Sequence, residues 1–382
     1  MDSIFSFGGV QRVTAVIAKE LAKEYDVTIV TRDRRAKMDT SLYGLNEADI
    51  HYEFFYYPKV NTIKNKCIKI YSGLYRKLHP KYKWASDLYA HSSFPSELRN
   101  ALQEMLRQGA YDVIIGVHAP LAARLATVDV NATKIGWIHN SFEALYGKNS
   151  KYIGPELQRH YIYQYRKLDH VVLLCQHDAD SYHNYDPKLH PTVIYNPLTL
   201  LPGERSEGNS KRFLAVGRFS YKHKGFDLLI KAFHLFAQKN QDWSLDIVGE
   251  GPEEEMYKEL ISQYGLGKRI VLHPFTNHIQ EYYSKAQIYV LSSRWEGFGL
   301  VLLEAMAHGL PVVSSDLPTS LEIMGDFGIY FKNGDIEELA QRLEDATHIN
   351  WQEKSEEALI LSNHYALPNI IKQWKVILEK KN

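Results

Sequence analysis

Short runs of apolar, β-branched residues, each followed by a stretch of helical period, recur along this chain, break once, and start again. That alternation is the pattern of βαβ units stacked into a parallel sheet. In the first half it predicts strands over 27–31, 51–55, 113–117, 135–139 and 170–174, with a helix over 10–24 ahead of the first. In the second half it predicts strands over 213–217, 245–249, 270–273, 288–291 and 311–314, and helices over 224–239, 253–264, 300–307 and 321–324. The break is Tyr195-Asn196-Pro197-Leu198 followed by the polar stretch Pro202–Lys211, which has turn and linker composition. A chain of 382 residues exceeds what one hydrophobic core usually supports. The expected architecture is therefore α/β, with two doubly wound domains at 1–197 and 198–366. A last helix over 367–382, apolar at Ile370, Ile371, Trp374, Ile377 and Leu378, is expected to pack back toward the first domain.

The opening of the chain departs from this scheme. A doubly wound domain begins with an apolar strand before its first glycine-rich turn. Here only Ile4-Phe5-Ser6-Phe7 precede Gly8-Gly9. The expectation is either a stunted first strand or a start that lies several residues inside the natural one.

Charge and cysteine content narrow the function classes. Basic and acidic side chains balance at 45 each, which argues against a nucleic-acid binder. The balance is uneven, with a surplus of +5 over residues 1–200 and −5 over 201–382. The first half is thus suited to an anionic partner. The two cysteines, Cys67 and Cys175, argue against a disulfide framework and a cysteine-based zinc site and suit a reducing cytoplasm. No run of about 18 apolar residues spans a bilayer, and no signal peptide opens the sequence.

Chemistry concentrates in the block from Arg294 to Pro311. A strand ends near Ser293, a glycine-bearing loop carries Glu296, Gly297, Phe298 and Gly299, and a helix begins at Leu300 with Glu304 one turn inside it. A helix N-terminus behind such a loop aims N–H groups and a positive dipole end at one spot, which favours an anion. Carboxylates are strong acceptors for sugar and ribose hydroxyls. The plain alternative is that Glu296 caps the helix and Glu304 is solvated. A second block, Val216-Gly217-Arg218-Phe219-Ser220 with Lys222, Lys224 and Gly225, repeats the strand–loop–helix plan with cations. Arg218 and Lys224 could flank a diphosphate, one as a fork and one as a point charge. Lys222 reads as merely exposed.

In this order the blocks resemble the large retaining GT-B group of glycosyltransferases called family 4. That family shows Val-Gly-Arg, Lys-Gly, Val-Gly-x-Gly-Pro, Ser-x-x-Glu-Gly-Phe-Gly-x-x-x-x-Glu-Ala and Gly-x-Pro-Val. Here they stand at Val216–Arg218, Lys224-Gly225, Val248–Pro252, Ser292–Ala305 and Gly309–Val312. In the first half, Phe7-Gly8-Gly9-Val10-Gln11-Arg12 resembles the family's opening Gly-Gly-x-x-Arg turn, and Trp137-Ile138-His139-Asn140 its strand-end histidine. The resemblance implies GT-B architecture, two Rossmann-like doubly wound domains facing a central cleft.

The roles it implies follow residue by residue. Arg218 and Lys224, with Gly217, would neutralise the departing diphosphate. Glu304 would hold the ribose. Glu296 and the backbone N–H groups of Phe298, Gly299 and Leu300 would hold the transferred sugar. His139 would reach it from the other domain, and Gly8 and Gly9 would approach the donor. The two glutamates are not an acid/base pair of the hydrolase kind. No cofactor or metal is expected. Asp178-Ala179-Asp180 resembles the metal-binding Asp-x-Asp of another glycosyltransferase architecture, but it reads better as helix capping.

Residues 54–86 hold eight basic side chains and no acidic one. Over 63–78, Ile63, Cys67, Ile70, Tyr71, Leu74, Tyr75 and Leu78 fall at helical spacing among Lys64, Lys69, Arg76 and Lys77. A basic amphipathic helix suits an anionic membrane surface or an acceptor held there. The alternative is a core-facing helix with a solvated basic back. The expected activity is transfer of a hexose or N-acetylhexosamine from a nucleotide sugar, a UDP-sugar before a GDP-sugar, to a glycan or lipid-linked acceptor in cell-surface polysaccharide synthesis. The expected location is the cytoplasm, peripheral on the inner face of the membrane. A non-catalytic GT-B-like binding subunit and a nucleotide-sugar epimerase of the same fold stay open.

Overall fold

The computed structural model describes residues 1–78, 81–148, 150, 152–200 and 203–379. Two compact units emerge: Met1–Asn196 together with residues from Ile370 onward, and Pro197–Asn369. The first unit thus ends one residue before the expected boundary.

In the first unit, β1 (Val27–Thr31) and β2 (Ile50–Phe54) form one parallel pair. A separate parallel sheet holds β3 (Val113–Val117), β4 (Thr133–Trp137), β5 (His170–Leu173) and β6 (Thr192–Val193) in that order. The helix Gly9–Leu21 precedes β1, and its Val13, Ala15, Ile17, Ala18 and Leu21 are buried at helical spacing. No strand precedes that helix among the described residues, although Ile4 is fully buried against Ala15, Ala18, Ile29, Leu45 and Ile50. The strand expected to reach His139 stops at Trp137. The closing helix is Leu367–Leu378, and its Trp374 is fully buried edge-on to Trp137, with ring centroids 4.8 Å apart. Lys380, Pro202 and the residues after Glu379 lie outside the described residues.

The second unit is one six-stranded parallel sheet. Its strands are β7 (Arg212–Val216), β8 (Ser244–Val248), β9 (Ile270–His273), β10 (Ile288–Leu291), β11 (Val312–Ser315) and β12 (Ile329–Phe331), in the order β12-β11-β10-β7-β8-β9. Strands β7, β8, β10 and β11 are buried on both faces over most of their length, which explains their near-continuous apolar sequence. Phe213, Phe233, Phe236, Trp243 and Leu245 lead the core. The strand order reverses where β7 meets β10. In open parallel sheets ligands bind at such a switch point, beyond the carboxyl ends of the strands.

The stretch expected as a linker is partly pinned. Ser206 is buried, donating its hydroxyl to the Ala286 carbonyl and its N–H to the His308 carbonyl.

Candidate functional site

The loops that leave β7 and β10 are held together at the backbone. The loop after β7 contains the short helix Tyr221–Lys224, which Gly225 ends in the left-handed region at φ 63°. A Cβ at Gly225 would stand 2.1 Å from the Ser292 carbonyl oxygen, so only glycine lets the loops touch. Ser292 Oγ donates to the Lys224 carbonyl at 3.0 Å, and the Arg294 N–H donates to the His223 carbonyl at 2.7 Å. The Arg294 guanidinium then forks onto buried Asp227 at 2.9 and 2.8 Å. This planar, bidentate geometry is one that lysine would not reproduce.

That clamp brings Lys224 to Glu296. Lys224 Nζ donates to Glu296 Oε1 at 2.6 Å, and Ser293 Oγ donates to the same oxygen at 2.6 Å. The side chains are 12% and 8% exposed. Gly217 makes room for the lysine, since a Cβ there would meet Lys224 Cε at 2.8 Å. Burial pushes the Glu296 carboxyl up, but Lys224 first and then His223 outweigh it and hold the group well below the usual carboxylate range. His223 Nε2 stands 3.6 Å from Oε2, with its ring stacked on Trp295 at 3.9 Å. Oε2 therefore carries the looser contact. Lys224 spends one of its three N–H donors on Oε1. Arg218, beyond β7, is exposed.

Beyond Glu296 the chain turns through Gly299 at φ 88° into the helix Leu300–Ala307. Phe298 is buried and Leu300 half-buried. Glu304 is buried and accepts from Tyr283 Oη at 2.9 Å. Its carbonyl accepts from His308 Nδ1 at 2.7 Å, so Nε2 is left as the acceptor that Gly203 N–H meets at 3.2 Å. Burial lowers the basicity of His308, consistent with this neutral tautomer. Glu304 is neither solvated nor a cap. It belongs to a packed polar cluster at the sheet's carboxyl edge.

A family model described as Glycosyltransferase Family 4 matches residues 7–200, and one described as Glycosyl transferases group 1 matches residues 201–362. The chain belongs to Glycosyltransferase Family 4. An uncharacterized glycosyltransferase of Haemophilus influenzae is 29% identical over 98% of this chain and 98% of its own length. The amylovoran biosynthesis glycosyltransferase AmsD of Erwinia amylovora is 25% identical over 86% of this chain and 83% of its own. HepE of Anabaena, solved in complex with UDP, superposes with a TM-score of 0.75 at 18% identity, covering 99% of this chain and 97% of HepE. The fold is GT-B, and the protein is a transferase enzyme.

In the first unit of this family 4 glycosyltransferase, Gly8 caps the helix Gly9–Leu21, and its N–H donates to Tyr43 Oη at 2.8 Å. His139 is buried two residues past β4, and its Nε2 has no hydrogen-bond partner among the described residues. Burial, and then His118, hold the imidazole well below its ordinary value, so the ring is neutral. The His118 ring lies 5.6 Å away. Its backbone sits at φ 81°, ψ 151°, a region that side-chain-bearing residues rarely adopt. Nothing in the sequence marks His118, because strain of this kind depends on how β3 meets the next helix.

Asp178 lies in the first turn of the helix Gln176–Tyr185. It is buried and accepts from Phe142 N–H at 2.9 Å, at the start of the helix Phe142–Tyr146. Among the described residues no group of three or more His, Cys, Asp or Glu side chains could hold a metal ion.

The basic helix is Thr62–Leu78, and it has two faces. Tyr71 and Tyr75 pack inward, with Tyr71 Oη donating to the Ala85 carbonyl and the Tyr75 and Tyr89 rings 4.4 Å apart. Ile63, Ile70, Leu74 and Leu78 point outward, 50–75% exposed. Exposed Tyr82 and Trp84 stack nearby. Lys64 is tied to Glu97 and Ser96 at 2.7 Å, and Arg76 lies 3.9 Å from Glu156. Lys66, Lys69 and Lys77 are exposed, with no ion pair among the described residues. Among the described residues no helix is long and apolar enough to cross a membrane.

Proposed function

We propose that this glycosyltransferase moves a hexose or N-acetylhexosamine, with retained configuration, from a nucleotide sugar to a glycan or lipid-linked acceptor in cell-surface polysaccharide synthesis. The observation that carries the reading is the buried Lys224–Glu296 pair at the switch point. In the transfer, the bond between the sugar's anomeric carbon and the phosphate oxygen breaks. An acceptor hydroxyl bonds to that carbon, and its proton passes to the departing diphosphate. Charge develops on the phosphate oxygens, where Lys224 and Arg218 would act in a site that needs no rearrangement. Glu296 Oε2 and the N–H groups of Phe298, Gly299 and Leu300 would hold the sugar, and Glu304 the ribose. Gly8, Gly9 and His139 complete the proposed donor set.

A UDP-sugar is the favoured donor, because HepE has been solved with UDP and with UDP-glucose. AmsD's part in amylovoran biosynthesis supports a surface glycan as the product. Two cations at the diphosphate supply its counter-charge, so the reading includes no metal. The exposed apolar stripe and free lysines of Thr62–Leu78 support attachment to an anionic membrane surface, where a lipid-linked acceptor resides. The test is turnover of UDP- and GDP-sugars with a membrane extract as acceptor, in excess EDTA. Transfer at full rate in EDTA is expected. Loss in EDTA with recovery on Mg²⁺ or Mn²⁺ rejects the metal-free site, and donor consumption without any acceptor points to the epimerase.

A further inference from the structure

We infer that the loop after β1 is an anion-recognition site, suited to an acceptor glycan that carries carboxylate or phosphodiester groups. The inference rests on the proposed transfer reaction and names the class of its acceptor. Residues 32–38 hold Arg32, Arg34, Arg35 and Lys37, all exposed, against one acid, Asp33. The Asp33 carboxylate is filled by Ser3 Oγ at 2.8 Å, Thr31 Oγ1 at 2.9 Å and the N–H groups of Ile4 and Phe5 at 2.8 and 3.2 Å. Asp39, the next acid, accepts from the N–H and the hydroxyl of Ser41. Arg32 has Asp2 at 2.9 Å, whereas Arg34, Arg35 and Lys37 have no ion pair among the described residues.

The backbone crowds these cations. Arg35–Lys37 is one turn of 3-10 helix, closed by Lys37 N–H on the Arg34 carbonyl at 2.7 Å and Met38 N–H on the Arg35 carbonyl at 3.1 Å. Like charges one turn apart repel, and an anion between them offsets the cost. Aromatic rings at the end of β2 support two of the guanidinium groups. Arg32 Cζ lies 3.9 Å from the Tyr57 ring centroid, and Arg35 Cζ 5.3 Å from that of Phe54. A guanidinium on a ring keeps N–H donors for a planar or tetrahedral anion. Tyr56 is 57% exposed, and its Oη accepts from Arg35 N–H at 3.2 Å. Its ring offers the C–H face of a sugar an apolar platform beside that arginine.

The site stands at the carboxyl ends of β1 and β2, the end at which open parallel sheets take ligands. The same loop runs on to Tyr43, whose Oη accepts from Gly8 N–H at 2.8 Å. Membrane attachment calls for an apolar stripe among long lysines, as on Thr62–Leu78. Arginines set against aromatic rings instead match discrete anions on a sugar chain.

The test is titration calorimetry of the full chain with an oligogalacturonate, a phosphodiester-linked hexose oligomer and a neutral malto-oligosaccharide of equal length. At least one anionic oligomer should bind roughly tenfold or more tighter than the neutral one, and the stronger of the two identifies the anion. Arg34→Gln, Arg35→Gln and Lys37→Gln together should abolish that preference, and high salt should weaken it. These side chains are exposed, so the variant should keep the wild-type thermal midpoint and the wild-type shift with a UDP-sugar. Equal affinity for charged and neutral oligomers, or a preference that survives in the variant, overturns the inference. So does a preference lost in Lys66, Lys69 and Lys77 changed to Gln but kept in the loop variant. Binding of phosphatidylglycerol vesicles through the loop without binding of either anionic oligomer assigns the loop to the membrane and overturns it as well. Failure of the oligomers while a UDP-sugar still stabilises the chain removes this inference alone, whereas no shift with any nucleotide sugar removes the transfer reading.

Discussion

Lys224 Nζ stands 2.6 Å from Glu296 Oε1, joining loops 72 residues apart in sequence at the carboxyl ends of β7 and β10. The pair ties stability and chemistry together. Breaking a buried ion pair by removing one partner costs roughly 3–5 kcal/mol, because the other charge is stranded.

Lys224→Ala should therefore lose stability on that scale and lower turnover by roughly 10²-fold or more. Lys224→Ala combined with Glu296→Gln should regain most of the stability and none of the turnover. Arg218→Ala should lower turnover with stability within about 0.5 kcal/mol of wild type, since the side chain is exposed. Denaturant melts and steady-state kinetics on the three variants check this. Recovery of turnover in the double variant would make the pair purely structural.

The first unit should weaken in mild acid. His160 is buried with Nδ1 2.9 Å from Ser86 Oγ, and burial pushes it from 6.5 down to about 4. Below pH 6.5 the unfolded chain takes up a proton that the folded chain refuses until about pH 4. Stability present above 6.5 is thus lost as pH falls across that window, by roughly 3 kcal/mol for this group. Unfolding free energies from pH 7.5 to 4.5 should show the loss, and His160→Gln should flatten the slope. Parallel curves for the two proteins contradict the assignment.

His118 holds a strained backbone beside His139. A conformation of this kind costs about 1–3 kcal/mol. His118→Gly should raise stability by about 1 kcal/mol after glycine's greater loss of freedom on folding. Turnover should fall, as the variant removes the imidazole next to His139. Higher stability with unchanged kcat would show that the strain serves folding geometry and not the reaction.

The exposed face of Thr62–Leu78 should bind anionic vesicles, each lysine contributing on the order of 1 kcal/mol near the surface. Lys66, Lys69 and Lys77 changed together to Gln should release the protein, as should high salt, which screens these charges. Lys64→Gln should release it less, because Glu97 already engages that lysine. Co-sedimentation decides the matter. Equal binding to neutral and anionic vesicles, or binding to neither, removes the membrane from the account.

Much of the second unit was readable in order along the chain. Its central strands β10 and β11 are buried along their whole length, so their apolar runs stand out, and Gly225 and Gly299 stand where left-handed turns are required. Glu296 and Lys224 could each be picked out, but their direct pairing could not, because it depends on how the β7 and β10 loops meet. Arg294 lay in plain view within the motif, yet its fork onto Asp227 is a tertiary fact. In the first unit the signals are weaker. The two-residue β6 is too short to show a period, and the helices Lys83–Ser93, Gln158–Tyr165 and Gln176–Tyr185 mix polar and aromatic residues that blur any stripe. The apolar spacing of 63–78 predicted a helix but merged two faces, one packed through Tyr71 and Tyr75 and one left outward.

The most direct test of the donor site is thermal unfolding with a panel of UDP- and GDP-sugars, on wild type and on the Lys224→Ala, Glu296→Gln double variant. A donor at 100 times its Kd should stabilise the folded protein by about 2.7 kcal/mol. The account predicts that at least one nucleotide sugar, a UDP-sugar before a GDP-sugar, shifts wild type on this scale and leaves the double variant unmoved. No shift of wild type with any nucleotide sugar, or equal shifts in both proteins, would contradict a donor site built on Lys224 and Glu296.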